Sequence, residues 1–279
     1  MQLAEETFEI DQSLWSGKNK TRLAADKLLY RSGVWAVRHL SQALFYMDIV
    51  GRKNIPAGPK ILAANHPTTL DPFFLLTLIQ EEMSIMVTGG AFTIPLFGRY
   101  LQRAGHIPVV GGNGQAAMAK AKESLAGGRS LGIFPEGALS PESGLHPPHT
   151  GVARLALLSG VPVIPVGIHP PIAHLRHVPA TINGERAFGR IFFRGRYVMT
   201  VGSPLTFSVS ASNREEVQTI SDEIMKAIIG LRRLSIERSR AYKRSFFKQK
   251  STNWGRGRSE QGIKWSAPGF SQRIKREYG

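Results

Sequence analysis

From Gly58-Pro59 onward, short apolar runs alternate with stretches in which apolar residues recur every three or four positions. The runs predict strands at 60–64, 84–88, 106–110, 130–134 and 162–168. The stretches between them predict helices at about 71–81, 94–103, 113–126 and 150–159. Alternation of this kind implies an α/β fold, a largely parallel central sheet flanked by helices. Strands that are apolar throughout are those covered on both faces. In such sheets ligands bind beyond the carboxyl ends of the strands. That rule brings three turns to one rim: Asn65-His66, the glycines after Val110, and Phe134-Pro135-Glu136-Gly137.

Ahead of this region, Leu28, Tyr30, Val34, Val37, Leu40 and Leu44 recur at helical spacing between about Leu23 and Met47. Gly33 predicts a break there into two shorter helices. The segment suits either packing on the domain or lying in a membrane interface, with Lys27, Arg31 and Arg38 near lipid phosphates. Residues 169–189 are rich in Pro and His and carry little pattern, whereas Ile191–Phe193 and Tyr197–Val201 predict two strands, read as a hairpin. From about Asn213, with Glu215 and Glu216 in its first turn, a helix is predicted towards Phe247. The chain thus divides into an N-terminal amphipathic helical segment (1–50, opening on a loose lead-in), an α/β domain (51–210), a C-terminal helix (211–248) and a basic, flexible tail (249–279).

Composition narrows the chemistry. With no cysteine, disulfides, thiolate metal sites and cysteine nucleophiles are excluded. The acidic, polar start MQLAEETFEIDQ does not read as a secretory signal. No run approaches the roughly 18 apolar residues of a spanning helix, so contact with a bilayer is expected to be peripheral. The net charge of +16 is concentrated late, with 15 Lys and Arg against three Glu from Lys226 onward. Such an end seeks an anionic partner, a lipid surface or nucleic acid.

The turns on the rim carry the candidate chemistry. Asp71 lies five positions after His66, enough to bring a carboxylate back against an imidazole. A His held by an Asp is what general-base attack through a hydroxyl needs. The plainer alternative is a turn whose Asp71 caps a helix, with Pro72 in its first position. Two other readings compete. Gly112-Asn113-Gly114-Gln115-Ala116-Ala117 fits the dinucleotide fingerprint, with Glu136 some twenty residues on. The tail interleaves its basic residues with Tyr242, Phe246, Phe247 and Trp254, which suits nucleic acid, although a membrane surface explains the same charge.

Taken together, Asn65-His66-Pro67-Thr68-Thr69-Leu70-Asp71 (the NHxxxxD box), Phe134-Pro135-Glu136-Gly137 (the FPEG box) and Val161-Pro162-Val163-Ile164-Pro165-Val166 resemble the glycerolipid acyltransferase family, the 1-acylglycerol-3-phosphate acyltransferase (PlsC-like) group. Order and spacing agree from about residue 50 to 210. The resemblance implies an O-acyltransferase that moves a fatty acyl group from an acyl thioester, on coenzyme A or acyl carrier protein, to a lysolipid hydroxyl. It implies His66 as base, Asp71 as its holder, and Asn65, Glu136 and Gly137 beside the acceptor. No cofactor or metal is expected beyond the thioester co-substrate, and the place implied is the cytoplasmic face of an anionic membrane rather than nucleic acid. The chain departs from the family at two arginines that would grip a phosphate: Gly111 follows Gly105–Val110 where an Arg is common, and Ala138-Leu139 stands where Thr-Arg often follows the FPEG box. Arg99, Arg103 and Arg154 are the candidate substitutes, failing which the acceptor lacks a terminal phosphate. His146, His149, His169, His174 and His177 read as loop histidines.

Overall fold

The computed structural model describes residues 20–182, 185–208 and 213–255. Residues 1–239 form one compact unit, and 240–279 cluster as a second, whose described part (240–255) is helical. In chain order the elements are α1 (Lys20–Leu44), β1 (Tyr46–Val50), β2 (Ile61–Ala64), α2 (Asp71–Leu76), β3 (Met83–Thr88), α3 (Phe97–Arg103), β4 (Ile107–Val109), α4 (Gly114–Ala126), β5 (Ser130–Ile133), α5 (Gly151–Ser159), β6 (Val163–His169), β7 (Arg176–Ile182), β8 (Glu185–Ile191), β9 (Arg196–Val201) and α6 (Arg214–Gly255). The main sheet runs β1-β9-β6-β2-β5-β3-β4, parallel at every pairing except β6 with β9. Strands β7 and β8 form a separate antiparallel ribbon.

The alternation of side chains along a strand divides the core into two layers. Ile61 and Ala63 of β2 pack with Leu131, Ile133, Ala121, Val152 and Ile224 on one face. Leu62 and Ala64 join Phe74, Leu75, Ile85, Phe192 and Tyr197 on the other. Strands β2 and β5 are buried at every position, as their unbroken apolar runs predict. On the first face α6 lies directly on β6. A Cβ at Gly167 would stand 2.1 Å from the Arg232 amide nitrogen, so only glycine permits that approach.

Several boundaries differ from the sequence reading. Helix α1 is continuous through Gly33, because the glycine admits α3 rather than breaking the helix: a Cβ there would meet the Tyr100 hydroxyl at 1.9 Å. A glycine inside a helix costs only about 1 kcal/mol. Helix α2 stops at Leu76, where the Thr77 N–H and hydroxyl both turn back to the Phe74 carbonyl (3.0 and 2.7 Å). The hairpin expected from Ile191–Phe193 and Tyr197–Val201 does not form. Strand β8 pairs with β7 inside the patternless stretch, while β9 enters the main sheet between β1 and β6. The reason is burial: Tyr197–Val201 is covered throughout, and Tyr197 stacks on the buried Phe192 at 5.6 Å. Strand β1, read as a helix end, is fixed at the sheet edge by Asp48, which accepts from Arg196 and from Arg238 (2.7 Å). The C-terminal helix extends past residue 248 to Gly255; the lead-in to residue 19 and the tail from 256 lie outside the described residues.

One buried imidazole gives the unit a measurable acid sensitivity. His106 accepts the Ile85 N–H at Nδ1 (3.1 Å), which requires a neutral ring. Burial, and secondarily the Arg129 guanidinium, push its pKa down to about 3. An unfolded histidine titrates near 6.5, so between these values the unfolded chain binds the extra proton and stability falls as pH drops. His106 alone should cost about 2 kcal/mol between pH 7 and 5. Urea unfolding at the two pH values should show that loss, and His106→Asn, which keeps an acceptor, should remove it from the pH dependence. An unchanged pH slope in the variant would exclude His106 as the source.

Candidate active site

The carboxyl end of β2 delivers Asn65 and His66 to the rim, and α2 begins at Asp71. His66 Nδ1 lies 3.0 Å from Asp71 Oδ2. Asp71 is completely buried, and its carboxylate does not cap α2 as the turn alternative expects. It turns back instead. Oδ2 also accepts the Thr68 N–H (2.6 Å), and Oδ1 accepts the hydroxyls of Thr68 and Tyr197 (2.6 Å each). Four donors on two oxygens describe an ionised, acceptor-only carboxylate. His66 therefore donates from Nδ1, and in the neutral ring this tautomer leaves the Nε2 lone pair available. Burial and then the neighbouring carboxylate raise the Tyr197 pKa well above the usual tyrosine value, so this phenol stays a donor.

The ring of His66 is held flat against Phe134, centroids 4.1 Å apart and planes 18° from parallel, with 18% of the side chain exposed. Its backbone is gripped by the Phe134–Gly137 turn after β5. The His66 N–H is shared between Glu136 Oε1 and Ser140 Oγ (3.0 Å each), and its carbonyl accepts the Ser140 N–H (2.8 Å). Glu136 is itself buried. It receives the Ser140 hydroxyl on Oε1 and the His146 N–H on Oε2 (2.8 Å), so one carboxylate fixes both His66 and the loop that follows. Gly137 adopts φ +67°, open to glycine at little cost, and the His149 ring packs where a side chain would be.

The remaining predicted residues are placed differently. Asn65 has no exposed surface; its amide donates to the Ile168 carbonyl (3.0 Å) and accepts the Ile168 N–H (2.7 Å). It ties β2 to β6 directly ahead of His66, and its side chain is buried, where the resemblance implies a place beside the acceptor. Arg99 is exposed on α3, and Arg103 pairs with Asp26 of α1 (2.8 Å). Arg154 is exposed on α5, lining a shallow cleft with Thr150, Arg214 and Gln218 that contains neither His66 nor Asp71. The fingerprint glycines follow β4, the outermost strand, instead of a central one. Among the described residues, no three His, Asp or Glu side chains group closely enough to hold a metal ion.

Sequence reasoning missed Tyr197, Thr68, Ser140 and Arg190. Thr68 lies inside the NHxxxxD box and Ser140 three residues beyond the FPEG box, where a hydroxyl three residues before Asp71 or four after Glu136 was the available signal. Tyr197 read only as a strand residue, and Arg190 fell between two patterns. Arg190 is 8% exposed, and its guanidinium donates to the Ser140 carbonyl.

Residues 47–169 match the acyltransferase family model. The chain is 32% identical over 124 residues to a chloroplastic 1-acyl-sn-glycerol-3-phosphate acyltransferase of Brassica napus, covering 43% of this chain and 36% of that protein. It is 27% identical over 160 residues to the 1-acyl-sn-glycerol-3-phosphate acyltransferase of Pseudomonas aeruginosa, covering 54% of this chain and 61% of that one. The match thus spans little more than a third of the chloroplastic relative's length. The crystal structure of the 1-acyl-sn-glycerophosphate acyltransferase PlsC from Thermotoga maritima has a TM-score of 0.54 at 22% identity, over 80% of this chain and 84% of that one, a likeness of fold.

Because the Asp71 carboxylate is buried, each of its donors should be expensive to lose. Tyr197→Phe keeps the ring packing and removes one charge-assisted hydrogen bond, for an expected loss of about 1.5–3 kcal/mol. Denaturant unfolding measures it, and a loss below about 0.5 kcal/mol would show that water or another donor replaces the phenol.

Proposed function

We propose that residues 47–169, which match the acyltransferase family model, form a domain of the PlsC-like glycerolipid acyltransferase group and that the protein transfers a fatty acyl group from an acyl thioester to the hydroxyl of a lysolipid of the 1-acylglycerol-3-phosphate type. The observation that carries the proposal is the His66–Asp71 pair, with a buried carboxylate on Nδ1 and Nε2 free on a partly exposed ring.

In this mechanism His66 Nε2 takes the acceptor's hydroxyl proton as its oxygen attacks the thioester carbonyl. Asp71 fixes the tautomer and stabilises the imidazolium. The tetrahedral intermediate collapses with cleavage of the C–S bond, and Nε2 returns the proton to the departing sulfur, giving ester and free thiol. Coenzyme A or acyl carrier protein serves as the thiol carrier. The chain's own contribution is positioning and one proton held at Nε2.

A lysolipid lives in a bilayer, and no helix among the described residues is long and apolar enough to cross one. We place the protein on the membrane surface, at the cytoplasmic leaflet, whose anionic lipids attract basic segments. Supporting this are Leu28 and Trp35, largely exposed on α1 near Lys27, Arg31 and Arg38, and the basic residues beyond Lys226. The combination suits apolar burial joined to charge attraction, each alone giving weak attachment.

Two measurements bear on this reading. His66→Ala should lower acyl transfer to a lysophosphatidate by about 10²–10⁴-fold with its melting temperature near that of the wild type. Near wild-type turnover in that variant would rule the base out. Deleting 249–279 should weaken sedimentation with anionic vesicles at low salt, and the difference should shrink as salt rises. Equal binding by the truncated chain would remove the tail from membrane attachment.

A further inference from the structure

Arg190 stands out among the cations of the α/β unit because it is buried without a carboxylate. Lys60 pairs with Glu81, Arg103 with Asp26, Arg129 with Glu82, and Arg196 and Arg238 with Asp48. Arg190 is more than nine-tenths buried, yet among the described residues it meets no acid within ion-pair distance; its guanidinium bonds the Ser140 carbonyl. A guanidinium has five N–H donors in a planar fork, and one carbonyl leaves most of that capacity and all of the charge uncompensated.

Its position joins the two halves of the site. The Arg190 N–H donates to Thr69 Oγ1 (3.1 Å), and the Thr69 N–H donates to the Arg190 carbonyl (2.9 Å), so β8 is fastened to the turn between His66 and Asp71. The other end of the side chain touches Ser140, whose N–H and Oγ both bond the His66 backbone. Arg99, Arg103 and Arg154 are exposed or already paired, and the boxes themselves offer Gly111 and Leu139 where an arginine would grip phosphate. The uncompensated guanidinium beside the catalytic turn comes instead from the β7–β8 ribbon.

Resting on the acyl-transfer reading, we propose that Arg190 determines acceptor specificity by binding the phosphomonoester of the lysolipid. A phosphate supplies paired acceptors and the missing negative charge, and a guanidinium largely removed from water binds an oxyanion more tightly than a fully solvated one. Arg190 thereby selects acceptors that carry a phosphate over those ending in a hydroxyl.

The test uses the full chain, a labelled acyl-coenzyme A, and two acceptors differing in the phosphate: a monoacylglycerol 3-phosphate and the corresponding monoacylglycerol. Arg190→Gln should raise KM for the phosphate-bearing acceptor about 10- to 100-fold with kcat little changed. The loss in kcat/KM should be about 10- to 100-fold larger for the phosphate-bearing acceptor than for monoacylglycerol, the KM for the donor should hold, and Arg190→Lys should recover part of the difference. Equal losses on both acceptors, or a rise confined to the donor KM, would overturn the assignment, the first in favour of a structural role and the second in favour of a donor phosphate. A separate arm needs no turnover. Glycerol 3-phosphate should raise the melting temperature of the wild type and not that of Arg190→Gln, or of Arg190→Lys to a smaller extent should the Gln variant fail to fold. A wild type that acylates neither acceptor defeats the acyl-transfer reading, and this thermal arm then still decides whether Arg190 binds the anion.

Discussion

A carboxylate with no contact with water is among the costliest groups a protein can bury unless its lone pairs are filled by donors. Asp71 is such a group, and the site is arranged around satisfying it. Oδ2 takes His66 and the Thr68 N–H, while Oδ1 takes the Thr68 and Tyr197 hydroxyls. Three of these donors are local, supplied by the turn between β2 and α2. The fourth arrives from a residue 126 positions away, and it arrives only because β9 lies in the main sheet beside β6. The reactive geometry of one turn is thus tied to the topology of the whole sheet. Tyr197 also packs edge-on against Phe74 of α2 and flat on Phe192, so the same side chain joins the hydrophobic core to the polar centre.

His66 is constrained independently through its backbone. Asn65 fastens the preceding residue to β6, and Glu136 with Ser140 fastens His66 to the turn after β5. β6 and β5 flank β2 in the sheet, so the imidazole is fixed by both of its neighbours at the same end. Buried polar groups of this kind contribute little net stability but specify one arrangement, since each would be stranded by a shift of register. Glu136 accordingly holds the two turns together through two backbone amides and one hydroxyl. Its acid is needed because three donors converge on it: the His66 N–H, the Ser140 hydroxyl and the His146 N–H.

The parts of the fold that were legible in the sequence are those whose signal is local. The strand ending at Ala64, the turn to Asp71, and the helices over 114–126 and 151–159 follow from short-range periodicity and punctuation. The pair His66 and Asp71 was legible for the same reason: five residues apart, it is made by a single turn. Gly33 was misread because a glycine's effect on helix propensity is visible in sequence, whereas the Tyr100 hydroxyl that needs its missing side chain is not. Arg176–Ile182 lacked an apolar alternation because a two-stranded ribbon has no core of its own to impose one. Tyr197 and Arg190 were invisible as site residues for a common reason: each reaches the turn from more than a hundred residues away, through pairings that no short window contains.

The two best-defined imidazoles of the unit show how little residue type alone decides. His106 is sealed between β3 and its neighbours, accepts an amide proton at Nδ1, and lies near Arg129, so burial and a positive charge both oppose a second proton. His66 presents the opposite circumstances. Its Nδ1 faces a carboxylate instead of an amide, and part of its ring reaches the surface. A base must accept a proton during reaction and give it back, which requires both a stabilised imidazolium and access to the hydroxyl that supplies the proton. His106 satisfies neither condition and serves as an acceptor within the core. His66 has the geometry the proposed role asks for, with Nδ1 on the buried Asp71 carboxylate and part of the ring exposed, and the four donors to Asp71 hold that geometry in place.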